Sequence, residues 1–155
     1  MSELIRVDSD SGQWFIDLVR AETRLYGAVD ARLRAEHGLS AGQFEILQLI
    51  DGIENCRVLD IVREVAISVG AASKAVDRVE AAGWCRRTAN PHDRRSSYLE
   101  LTAAGRRILA AARPTFAAET AERLSVLSAD DRATSGRALA TLRRALEERQ
   151  RTAQE

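Results

Sequence analysis

Cysteine, proline, methionine and aromatic residues are all scarce in this 155-residue chain, and each scarcity narrows what it can be. Two cysteines, Cys56 and Cys85, are too few for a disulfide framework and fit a reducing cytoplasm. Aromatics make up 5% of the residues, so Ala, Leu and Val must fill the core, as in tightly packed helical proteins. No run of 18 apolar residues occurs, and no positively charged start leads into an apolar segment; neither a membrane span nor a signal peptide is expected. A glycine-rich phosphate loop, a paired-carboxylate cleft and a nucleophile motif are also missing, so an enzyme is not expected. His37 and His92 lie too far apart, and match Cys56 and Cys85 too poorly, for any standard metal spacing; no metal or other cofactor is predicted. Net charge is missing too, with 23 basic residues against 23 acidic ones.

What remains is a soluble, mainly α-helical pattern with hydrophobic residues at 45%. Trp14, Phe15, Leu18, Leu25, Val29 and Leu33 recur at helical spacing before Gly38, which reads as a stop. Ser40 is placed to cap a second helix with Phe44, Leu47 and Ile50 inward and Gly52 at its end. A short third helix follows from Arg57, with Leu59, Val62 and Val65 (or Ile61) as its apolar side. Ser68 caps a fourth, in which Val69, Ala72, Ala75 (or Val76) and Val79 look inward and Gly83 closes the element. Two short strands flank a tip at Asn90-Pro91. From Thr102 the helical pattern resumes, with Pro114 expected to kink the helix or end its first half. Ser128, followed by Asp131, opens a last helix with Ala138, Leu139, Leu142 and Leu146 along one face. Residues 151–155 are expected to fray. The long terminal helices carry more apolar surface than a small central domain can cover, which predicts a dimer interface.

Charge is distributed less evenly than the total suggests. From Trp84 to Ser96, Arg86, Arg87, Arg94 and Arg95 face only Asp93. A helix, a tight break and a second helix over Arg57–Ala82, followed at once by this basic hairpin, make a winged helix-turn-helix. A helix fits the major groove of B-DNA and reads bases from its N-terminal turn. Its outer face here offers Ser68, Gly70, Ala71, Ser73, Lys74, Asp77 and Arg78. Asp77 is the misfit, explained if it holds a neighbouring arginine. The wing arginines suit a narrow minor groove, and Asp93 is expected to orient Arg95 across the tip. Arg57 is placed either for phosphate contact or for a surface salt bridge.

Asp93-x-Arg95-x-x-x-Leu99-x-Leu101-Thr102-x-x-Gly105 resembles the signature of the MarR (multiple antibiotic resistance regulator) family. "LSAGQFEILQLI" and "VDRVEAAGWCRR" match that family's second helix and the end of its recognition helix, and the likeness covers about residues 12–150. It implies a winged-helix lobe over 38–102 in a single chain of 1–155, with dimerisation helices over 12–37 and 103–150. It implies a homodimeric regulator, a repressor in the first instance, on a pseudo-palindromic double-stranded DNA operator. By family position the DNA-facing residues are Ser68, Gly70, Ala72, Ser73, Lys74 and Arg78, with Arg94 and Arg95 in the wing. Larger polar side chains are common where Ala71 and Ala72 stand, so base readout is expected to be sparse and DNA shape to matter more.

Many members respond to small, often phenolic effectors. Trp14, Phe15 and Tyr26 belong to the dimer core by default, and they are also the candidates for lining an effector crevice. Some MarR-like proteins sense oxidants through a cysteine in the first helix, where this chain has none; Cys56 and Cys85 are the residual redox candidates, with Arg86 and Arg87 beside Cys85. The alternative function is a helical interaction module that grips an acidic protein without binding DNA.

Overall fold

The computed structural model describes residues 10–152. The elements follow the expected order: α1 (Asp10–His37), α2 (Ala41–Gly52), α3 (Val58–Val65), α4 (Val69–Ala81), β1 (Cys85–Ala89), β2 (Ser97–Leu101), α5 (Ala103–Arg123) and α6 (Ala129–Thr152). One short 3-10 turn, Leu124–Val126, was not foreseen. The chain divides into two compact units, one ending at Glu119 and the other starting at Thr120. No helix among the described residues is long and apolar enough to cross a membrane.

In the first unit α2, α4 and α5 start at hydroxyl side chains that accept a helix N–H: Ser40, Ser68 and Thr102. The Ser40 hydroxyl accepts the Gln43 N–H (3.1 Å), and the Gln43 side chain accepts the Ser40 N–H (3.0 Å) in return. This capping box satisfies two of the donors that a helix start leaves over. Asp30 of α1 accepts the Ala41 N–H at 2.8 Å while holding Arg34 at 2.6 Å, so α1 is tied to the first turn of α2. Gly38 (φ +65°) makes the left-handed turn between these helices.

The core joins Val29 and Leu33 of α1 to Phe44, Leu47 and Ile50 of α2, Ile61 of α3, and Ala72, Val76 and Val79 of α4. Phe44 stacks on Phe116 of α5 with ring centroids 4.9 Å apart. On α3 the buried residue is Ile61, whereas Leu59 is 48% exposed. The break between α3 and α4 turns at Ala66, which is left-handed at φ 56°. That conformation costs a non-glycine residue about 1–2 kcal/mol and holds the two helices in a tight corner.

β1 and β2 pair antiparallel, from Cys85 opposite Leu101 to Ala89 opposite Ser97. Alternation puts Cys85, Leu99 and Leu101 into the core and Arg86 and Glu100 outside. The Leu99 N–H reaches back to the Cys56 carbonyl at 2.7 Å, which fastens the hairpin to the chain before α3. The base of the hairpin is closed by Thr102. Its N–H donates to the Trp84 carbonyl (3.0 Å), its hydroxyl donates to the Gly83 carbonyl (2.7 Å), and the same oxygen accepts the Gly105 N–H (3.0 Å).

Pro114 does not end α5, which continues to Arg123. The second unit holds the end of that helix, the 3-10 turn and α6. Ser128 caps α6 as expected, accepting the Asp131 N–H at 3.1 Å. α6 has no buried residue, and Leu139, Leu142 and Leu146 remain exposed. Arg151 and Thr152 are helical rather than frayed, and the rest of the expected fraying, 153–155, lies outside the described residues.

Candidate nucleic-acid interface

α4 begins at Ser68, whose hydroxyl accepts the Ala71 N–H at 3.2 Å. The cap stops the chain at an extended residue (φ −67°, ψ 154°) and aims the first helical turn outward. Gly70, Ala71, Lys74 and Arg78 are exposed there and Ser73 is half-buried. Ala72 is different: it is 0% exposed and sits in the core, so its side chain cannot face DNA. The family position misleads here because helical spacing turns residue 72 toward Val76 and Val79, as the periodicity itself implied. Val69, expected to look inward, is 53% exposed in the first turn.

The wing tip is organised by Asn90, which is buried although polar. Its carbonyl oxygen accepts the His92 N–H at 2.9 Å and its amide donates to the Ser96 hydroxyl at 2.8 Å, which closes the loop across the tip. Asp93 does not hold the Arg95 guanidinium. Its carboxylate accepts the Arg95 backbone N–H at 2.9 Å, the local turn chemistry that Asp favours. Arg94 and Arg95 are exposed, and neither has an acidic partner among the described residues.

The other two hairpin arginines are neutralised. Arg86 faces Glu100 across the strands, with Nη2 2.8 Å from the carboxylate. That guanidinium holds the Glu100 carboxyl below its ordinary range. Arg87 reaches back to α4, bonding Asp77 at 2.7 Å and also Glu80. The misfit Asp77 therefore holds a neighbouring arginine, as the sequence suggested. Arg57 stays beside α3, 3.4 Å from Asp60. Sorting the cations in this way leaves Lys74, Arg78, Arg94 and Arg95 without an ion pair among the described residues. Lys74 is also the only lysine in the chain.

Sequence reasoning missed two residues that build this surface, Asn90 and Arg87. Asn90-Pro91 was legible as a turn, but the burial of the Asn90 amide depends on the return of Ser96. Arg87 read as one more cation, because its carboxylate partners lie one helix away.

A groove of about 300 Å³ separates α3 and α4 from the wing; Leu59, Val69, Ser73, Arg57, Arg87 and Arg95 are on its walls. On the opposite flank of α4 a smaller crevice, about 150 Å³, is lined by Tyr26, Gln43, Glu45, Val65, Ile67 and Arg78, among others. Burial, reinforced by Glu45, Asp30 and Glu22, pushes the Tyr26 phenol above its ordinary pKa. Trp14 and Phe15 do not line this crevice; they are 50% and 62% exposed on the first turns of α1.

Cys56 and Cys85 are free and buried. Burial pushes both thiols up to about 11, with Asp60 adding to the shift at Cys56 and Glu80 at Cys85. A reactive cysteine needs an accessible thiolate, and neither residue offers one. Among the described residues no three metal-ligating side chains cluster.

Residues 39–97, the part from α2 to the start of β2, match the model of the MarR family. The HTH-type transcriptional regulator MhqR of Bacillus subtilis is 29% identical over 117 residues, 76% of this chain and 80% of that protein. A MarR family transcriptional regulator from Streptomyces coelicolor, solved in complex with DNA, superposes with a TM-score of 0.81 at 20% identity, covering 91% of this chain and 94% of its own. The regulator BpsR of Bordetella bronchiseptica, whose DNA binding is regulated by 6-hydroxynicotinic acid, gives a TM-score of 0.78 at 23% identity over 88% and 97% of the two chains.

Proposed function

This chain belongs to the MarR family of winged-helix transcriptional regulators, DNA-binding proteins, and we propose that it works as a homodimeric repressor of a pseudo-palindromic operator. One observation carries the assignment of residues. Of the basic side chains on α4 and the hairpin, those without an acidic partner among the described residues are Lys74, Arg78, Arg94 and Arg95, on the outward side of α4 and at the wing tip. Free cations attract phosphate, whereas paired ones have little charge left to offer.

In this reading α4 enters the major groove, with Gly70 and Ala71 letting the backbone come close and Ser73 and Lys74 at bases or phosphates. Ser68 holds the first turn through its cap. The wing brings Arg94 and Arg95 to the adjacent minor groove, where narrow segments concentrate negative potential. Arg57 fixes the start of α3 near the backbone, and Asp93 shapes the tip. A second subunit covers Trp14, Phe15 and Val19 of α1 and the leucine face of α6, and brings a second α4 to roughly one helical turn, 34–36 Å, along the duplex.

The crevice beside Tyr26 is the effector site in this scheme. A cavity of about 150 Å³ is the size that holds a single aromatic ring. The neutral Tyr26 hydroxyl and the Arg78 guanidinium suit a small phenolic or aromatic acid, as 6-hydroxynicotinic acid is for BpsR. Because Arg78 belongs to α4, a ligand bound to it shifts the reading helix directly.

The test is retention of mixed genomic fragments over a salt series, with the molar mass measured by sedimentation. A two-subunit particle that enriches particular fragments, with affinity falling steeply as salt rises, supports the proposal. A monomer, or a particle with no fragment preference at any salt, rejects it. The interaction-module alternative predicts the latter.

A further inference from the structure

We propose that Val69 reads the operator directly, by packing its isopropyl group on the C5-methyl of a thymine in each half-site. The inference rests on the docking of α4 proposed above and adds a base contact to it. Single exposed aliphatic residues are ordinary. Val69 differs in where it stands. It occupies the first position of α4, the turn that meets base edges when a helix enters the major groove, and it is 53% exposed.

Its surroundings specify the chemistry. Val69 shares a groove with Ser73 of the same helix face and with Arg95 of the wing. Leu59, 48% exposed, extends the apolar wall from α3. Beside Val69, a Cβ built on Gly70 would meet no atom within 4 Å, so the approach is open. A branched hydrocarbon surrounded by cations and hydroxyls finds one apolar partner on the major-groove floor of unmodified DNA, the thymine methyl. The occupant is therefore a T·A pair, held in place by the flanking charges rather than by the aliphatic contact itself. Such a contact also supplies sequence information that the buried Ala72 cannot.

The experiment uses the full-length protein and the fragment it enriches. Each thymidine is replaced in turn by deoxyuridine, which removes only the methyl group. One thymine per half-site should then lose about three- to five-fold in affinity. Val69→Ala removes the contact from both half-sites, so it should weaken the unmodified site by the square of that factor, roughly ten- to twenty-five-fold, and abolish the sensitivity to deoxyuridine, with its circular dichroism spectrum and dimer mass unchanged. Methylation of guanine N7 on the major-groove floor is scored in parallel. If N7 methylation interferes but every thymine tolerates deoxyuridine, or if Val69→Ala keeps the full deoxyuridine loss, the Val69 contact is overturned alone. If N7 methylation nowhere interferes, the docking of α4 falls, and the contact with it.

Discussion

Gly105 lies against the peptide of Trp84 so closely that a Cβ added to it would overlap the Trp84 carbonyl oxygen and stand 2.8 Å from the carbonyl carbon. The same carbonyl accepts the Thr102 N–H, and Thr102 in turn receives the Gly105 N–H. The Thr-x-x-Gly spacing is thus the hinge at which the hairpin is sewn to the start of α5. Backbone atoms on both sides leave nothing that can yield. Gly105→Ala should destabilise the protein by about 3 kcal/mol, the upper range of overpacking costs, in urea unfolding. A loss below about 0.5 kcal/mol would mean that the close approach is not structural.

Removing the free cations tests the DNA-facing surface. Arg94→Ala combined with Arg95→Ala should lower operator affinity on the order of 100-fold while the protein remains folded and dimeric. Lys74→Ala should reduce the salt slope by about 2 per dimer, one phosphate contact in each subunit. Because the chain has no other lysine, operator DNA should also shield its one side-chain amine from acylation, which mass spectrometry reads directly. An unshielded Lys74 with an unchanged slope removes that residue from the interface.

Arg87 gives a different prediction, since its partners are acids on the reading helix. Without it, Asp77 and Glu80 become bare carboxylates on a surface proposed to meet phosphate. Arg87→Met should therefore weaken operator binding by roughly ten-fold, and adding Asp77→Asn should restore part of that loss. Additive effects in this double-mutant cycle would show that the ion pair has no part in binding.

Asp30 links stability to acid. The Arg34 hydrogen bond and the Ala41 N–H hold its carboxyl below the ordinary aspartate value. A carboxylate depressed in the folded state contributes stability above its unfolded pKa, about 4, and loses it as pH falls through the lower folded value. Wild-type stability should decline across that interval, and Asp30→Asn should decline less, starting from a lower value at pH 7 by about 1 kcal/mol. Parallel acid curves for the two proteins would exclude the α1–α2 link as a source of acid sensitivity.

Much of this protein was legible before any coordinates. Local rules sufficed where a residue acts on its near neighbours: Ser40, Ser68 and Ser128 cap the helices they precede, and Gly38 and Gly83 adopt the positive φ their positions implied. The period of the apolar residues gave the helix order, and the basic tip with Leu99, Leu101 and Thr102 marked the wing. Of the two outcomes expected at Pro114, a kink or an end, the end does not occur, since α5 runs through it.

The charge of the site was not legible, because a guanidinium's worth depends on what lies beside it in space. Arg86, Arg87, Arg94 and Arg95 are alike in sequence, yet strand pairing sets Arg86 against Glu100 and α4 supplies Asp77 and Glu80 to Arg87. Burial was undecided for the same reason: Ala72 and Val69 both fit an inward pattern, and only the tertiary packing buries one and leaves the other open. Composition and spacing determined which elements form. The tertiary structure decided which cations are free and which aliphatic meets solvent, because desolvation and ion pairing act through space between segments far apart along the chain.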